Sequence, residues 1–306
     1  MTIVPPGSAP GPPPVPPPTA HRLPMALLTW ALMAVVLVIV MVLVALKVTR
    51  GATALPAPAV GRAPASVVAA VAGLPAAAYD VAAAPAGADA AGASPTPGVQ
   101  HGQGPVTVQR QPAVVFVGAE FSPYSAALSW ALVAALDRFG SFSALGATAS
   151  SSAEVFARTP TFTFDGSAYR SRYLTLVAVE QYGASLSPDA PGGFPTLDTP
   201  GALASTLLRR YDAGAGAGGA LLPFADVDNQ LIETGAGIGF SPGVLQGLSM
   251  AQVASDLADP SSPVARAVLG AADELDAAMC AATGGQPGPV CDSAAVKSKE
   301  SLLGLG

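Results

Sequence analysis

Few side chains in this 306-residue chain are suited to catalysis or metal binding. Ser122 and Ser125 stand three residues apart, just after an apolar stretch and at the start of a helical pattern. A serine hydroxyl becomes a nucleophile only beside a base. The two histidines, His21 and His101, both precede the part of the chain that reads as a folded domain, which argues against a Ser-His pair. Glu120 is near Ser122 in sequence, but a strand carboxylate before a helix start reads as a solvated or capping group. The two cysteines, Cys280 and Cys291, complete the set. A zinc site needs three or four Cys/His ligands brought together, which this chain cannot readily supply. No metal site and no cofactor is expected. The net charge of −6 gathers in residues 106–306, which carry −8, so phosphate neutralisation and nucleic-acid binding are not expected either.

The elements that must position these residues follow from the pattern around them. AVVFVGAEF, residues Ala113–Phe121, reads as a buried strand, β-branched and free of proline. In the next segment Ser122 suits an N-cap, Pro123 the first helical position and Gly140 the stop. Tyr124, Leu128, Leu132, Ala135 and Phe139 recur at helical steps and predict one apolar face. Further on, Leu248–Asp259 predicts a helix capped by Ser249, and Pro263–Gly285 predicts one capped by Ser262. Cys280 falls in the last turn of that helix, and Cys291 follows across a Gly/Pro loop. Three readings of the pair stand side by side: a structural disulfide, a redox-active pair and two free thiols.

The stretch VVFVGAEFSPYSAALSWALVAALDRFG resembles the strand–CxxC–helix of thioredoxin-like proteins. More closely, it resembles membrane-anchored thioredoxin-like proteins known only as a domain of unknown function, whose motif reads GAE-aromatic-CPYCA. The resemblance runs from about Ser66 to Val296. It takes in TPTFTFDGSAY, LPFADVDN, SPGVLQGLS and the Cys280…Cys291 pair. Here SPYS replaces CPYC, so Ser122, Pro123, Tyr124 and Ser125 form a degenerate motif. Trp130 is kept, while Ser129 stands where the family has arginine. A helix N-terminus lowers a thiol pKa enough to make a thiolate, but a serine hydroxyl titrates too high to ionise and forms no disulfide. The resemblance also implies a cis-proline opposite the motif, with Pro223 favoured and Pro160 the alternative, and a groove for an extended polypeptide partner.

The rest of the chain reads as organisation. Residues 1–24 hold ten prolines and read as an extended, disordered tail, with a proline-recognising partner as the functional alternative. Residues 25–46 lie in a run without charge between Arg22 and Lys47, and are expected to form a single transmembrane helix. The flanking charges taken alone would put the C-terminal part in the cytoplasm. The lysine-poor domain and its cysteines favour an extracytoplasmic side of the cell membrane instead. Residues 47–105 read as an Ala/Pro/Gly-rich linker, with a docking segment at 66–80 that turns at Pro75 and anchors through Tyr79. Residues 106–296 form the folded domain and 297–306 a disordered tail. The expected fold class is therefore α/β: a thioredoxin-like fold with an inserted subdomain after Pro160, preceded by one transmembrane helix. The expected function is a redox-inactive module that binds or scaffolds polypeptides. The alternatives are a thiol–disulfide oxidoreductase using Cys280 and Cys291, and a purely structural domain.

Overall fold

The computed structural model describes residues 33, 35–39, 41–42, 60–82, 98–211, 222–235 and 239–305. Two units, Met1–Ala54 and Leu55–Gly306, are described separately. In the first, residues 33, 35–39, 41 and 42 are helical and exposed. The expectation of a transmembrane helix over 25–46 is corrected here: among the described residues, no helix is long and apolar enough to cross a membrane. The described helical residues are too few for a span, and the remainder of that stretch lies outside the described residues, as does the proline-rich 1–24 segment. The single-pass membrane location loses its basis with the span, and so does the extracytoplasmic placement.

The second unit is α/β with mixed sheets. Strand β4 (Gln111–Gly118) is its centre, pairing in parallel with β7 (Thr175–Glu180) and antiparallel with β8 (Phe224–Val227). The hairpin partner of β8, β9 (Leu231–Thr234), carries the short β2 (Gly98–Val99) on its far side, and β3 (Thr107–Val108) pairs with the start of β4. Alternation along β4 sorts its side chains to two faces. Val114 and Phe116 enter the main core, while Ala113, Val115 and Val117 pack beside Ala204 and Leu207 of α4 (Ala202–Tyr211). Both faces are covered, which is why this strand reads as a continuous apolar run.

A second, antiparallel sheet joins β1 (Gly61–Arg62), β5 (Gly140–Ala149) and β6 (Pro160–Ser171). Helix α3 (Pro123–Phe139) runs directly into β5 at Gly140, where the backbone is extended and a Cβ would collide with the Arg170 carbonyl and the Tyr169 ring. Among the described residues, 160–211 do not form the separate inserted subdomain expected after Pro160. Their first strand completes the small sheet and their second, β7, belongs to the central sheet.

Helix α3 is buried nearly all round, from Leu128 and Trp130 to Ala134 and Ala135, where the periodicity predicted one apolar face. Its many alanines let neighbours approach on several sides. One neighbour is α6 (Pro263–Ala282), whose fully buried Asp273 and Asp276 both pair with Arg138 of α3. Another is the N-terminal segment of α1 (Ala65–Ala72) and α2 (Ala76–Ala82). Tyr79 is buried there, donates its hydroxyl to the Ala134 carbonyl at 3.1 Å, and lies 4.1 Å beneath the Arg138 guanidinium. Residues 60–82 thus belong to the folded unit, not to a linker. At the other end, α5 (Met250–Leu257) and α6 precede α7 (Gly288–Cys291) and α8 (Ala294–Leu303). Residues 297–303 are helical where a disordered tail was expected, and Lys299 reaches Glu274 at 2.6 Å.

Candidate functional site

The C-terminal end of β4 is where the chemistry-bearing residues collect. After Gly118 the chain turns through Ala119, Glu120 and Phe121 into α3. Ser122 is the N-cap and its hydroxyl accepts from the Ser125 N–H at 3.3 Å, with Pro123 opening the first turn. The Ser125 hydroxyl accepts from the Ala119 N–H at 3.1 Å, which ties the helix start back to the strand end. Both serines are buried, and no histidine stands in this corner's hydrogen-bond network; His101 is exposed and His21 lies outside the described residues. These hydroxyls therefore act as capping acceptors, and among the described residues neither is hydrogen-bonded to a base that would make it a nucleophile.

Half-buried aromatic rings flank the corner. Phe121 stacks on Phe194 at 4.1 Å and approaches Tyr182, while Tyr124 meets Phe156 edge-on at 6.3 Å. Pro223 immediately precedes Phe224, which pairs with Val117, so it sits at the level of Gly118 at this same end of the sheet. The Leu222–Pro223 peptide is cis. The alternative proline, Pro160, has another place: it opens β6, and its carbonyl accepts the Trp130 indole N–H at 2.8 Å.

The polar residues of LPFADVDN serve the backbone. Asp226 accepts from the Asn229 N–H at 2.7 Å, Asp228 accepts from the Val106 N–H at 2.7 Å, and Asn229 donates to the Gly104 carbonyl at 2.7 Å. They hold the β8–β9 turn against residues 104–106. Burial raises Asp226 to about 6 against the Asn229 contact, with Asp228 pushing it further up. Cys280 and Cys291 are joined, with Cα atoms 5.5 Å apart, and both are fully buried where α6 meets α7.

Two carboxyls carry more than the sequence suggested. Glu120 is 3% exposed, so it is not the solvated group expected, and burial raises its pKa. Glu180, at the end of β7, is 4% exposed; its Oε1 accepts from the Phe164 N–H at 3.2 Å and its Oε2 has no partner. Burial lifts it to about 8, the Phe164 N–H opposes this, and the charges of Glu120 and Asp165 add to the rise. Glu180 pairs in register with Gly118, where a Cβ would come within 2.9 Å of its Oε2 and closer still to the Phe116 ring. The only hint in the sequence is a lone acid ending the apolar run TLVAVE.

A family model described as Domain of unknown function (DUF929) matches residues 99–187. The matched region contains the serine corner and Glu180 and ends before Pro223 and both cysteines. No curated protein and no solved structure matches the chain.

Proposed function

We propose that the chain is a redox-inactive thioredoxin-like module that binds or scaffolds polypeptides at the Ser122–Ser125 corner. The observation that carries this reading is the pairing of a strand order with a substitution. Strands run β9–β8–β4–β7, β4 is parallel to β7, and α3 leaves the C-terminal end of β4 with serine at both motif positions. Thiol–disulfide exchange begins with a thiolate, and neither serine provides one. The half-buried ring pairs Phe121–Phe194 and Tyr124–Phe156 offer apolar surface to an extended polypeptide at the corner, at the end of the sheet where Pro223 lies. The oxidoreductase alternative is less well supported, since Cys280 and Cys291 are bonded to each other and fully buried.

An insulin-reduction and disulfide-isomerisation assay tests the reading. The expected result is no turnover above background. Turnover that vanishes on Cys280→Ser would overturn it. Installing Ser122→Cys with Ser125→Cys should create a reducible disulfide at the corner. A double variant that stays fully reduced under strong oxidant would show that the corner lacks the proposed geometry.

A further inference from the structure

Two loops lie beside the serine corner, residues 151–158 before β6 and residues 181–198 after β7. Both are tied to Phe121, whose carbonyl accepts the Ser151 N–H at 3.0 Å while its ring stacks on Phe194. Internal bonds hold each loop in shape. The Ser150 hydroxyl accepts from the Thr159 N–H at 2.9 Å and donates to the Phe156 carbonyl at 3.0 Å. In the second loop Tyr182 bridges Thr196, and nearer the tip the Ser187 N–H donates to the Gly193 carbonyl at 2.8 Å.

These loops leave apolar side chains in water. Among the described residues of Leu55–Gly306, five large apolar side chains are exposed. Three of them belong to the two loops: Val155 at 83%, Leu186 at 59% and Leu197 at 42%. Apolar surface gathered in this way beside half-buried rings marks a place where another molecule docks. The loop backbones are already hydrogen-bonded, so docking orders little that was loose before.

The charges narrow the partner. The two loops carry Glu154, Asp189 and Asp198 against one cation, Arg158, and Asp189 and Asp198 are exposed. Residues 222–235, which bring Pro223 to this end of the sheet, contain no lysine or arginine. A polypeptide that lays apolar side chains on this surface brings its own charges beside these acids, which attract cations and repel carboxylates. We propose that the partner at this surface is an extended polypeptide segment carrying both large apolar side chains and lysine or arginine. The proposal rests on the reading of the serine corner as a polypeptide site and narrows what that site takes.

Fluorescence anisotropy on the full chain tests it with the labelled peptide Gly-Lys-Leu-Ser-Lys-Val-Ser-Lys-Gly and two counterparts. One counterpart has glutamate for lysine, and the other has serine for leucine and valine. The lysine peptide should bind saturably, at least about tenfold more tightly than either counterpart in about 50 mM salt. Salt of about 0.5 M should remove most of its advantage over the glutamate peptide. Leu186→Ser should weaken the lysine peptide about fivefold, and so should Asp189→Asn with Asp198→Asn, each variant being shown folded by circular dichroism. Equal binding of the lysine and glutamate peptides would overturn the proposal, as would a preference that neither salt nor the double Asn variant alters. If the lysine peptide fails to bind while a reduced and carboxymethylated polypeptide still does, the proposal is wrong and the polypeptide site stands. If neither binds, both are refuted. A dimer in light scattering that Leu186→Ser dissociates would show that a second copy of the chain fills this surface, and would likewise overturn the proposal.

Discussion

Replacing Glu180 by glutamine removes one buried titration and leaves the side chain nearly the same shape. In the folded chain its carboxyl is raised from 4.5 to about 8, so the fold keeps it protonated while the unfolded chain ionises it. A folded pKa above the unfolded one gives stability that is fully present below pH 4.5 and lost as the pH rises toward 8. At 1.36 kcal/mol per pKa unit, the loss between pH 4.5 and pH 7 is about 3 kcal/mol for this group alone. The Phe164 N–H retains an acceptor in glutamine, so the two proteins should have similar stability near pH 4.5. The variant should then gain on the parent by about 3 kcal/mol at pH 7. Asp137, Asp273 and Asp276 are also lifted by burial, but they occur in both proteins and largely cancel in the difference. Urea unfolding of both proteins at pH 4.5, 5.5, 6.5 and 7.5 measures the effect. A stability difference that stays flat across that range would refute the reasoning, because it would mean that Glu180 ionises as freely in the fold as outside it.

The packing of the helices sets further outcomes. Changing Cys280 and Cys291 together to serine opens a loop with a sequence separation of 11. Chain entropy then gives a loss of about 2.8 kcal/mol, checked by denaturant midpoint, with the corner left folded. Tyr79→Phe removes one buried hydrogen bond to Ala134 and should cost about 1 kcal/mol. Tyr79→Ala also empties the space beneath Arg138 and should cost about 3–5 kcal/mol. Equal stability of all three proteins would mean that residues 60–82 do not dock in solution.

Local signals carried far in this chain. Ser122, Ser249 and Ser262 are legible as N-caps because the cap needs only a hydroxyl and an amide three residues on, and each side chain accepts that bond here. The buried strand through Val114–Val117 was legible from its unbroken apolar run. The burial of α3 on every side was not, since the surfaces that cover it come from distant segments, α6 with Asp273 and Asp276 and α2 with Tyr79. Strand β5 was also hidden. Its GSFSALGATA mixes small, polar and large apolar residues without a clean alternation, and its pairing with β6 spans register shifts near Phe142 and Ala144. Glu180 shows the limit most clearly. A glutamate ending a strand reads as exposed, and only the return of β6 over it, donating from Phe164, takes it out of water.

Polypeptide binding at the serine corner is the central claim, and fluorescence anisotropy with a labelled, reduced and carboxymethylated polypeptide tests it directly. The parent chain should bind saturably. Tyr124→Ala, which removes a half-buried ring facing Phe156, should weaken binding about tenfold, or about 1.4 kcal/mol. The Cys280→Ser, Cys291→Ser double variant should bind as the parent does. No saturable binding would contradict the account, as would binding that ignores Tyr124→Ala and disappears with the cysteines.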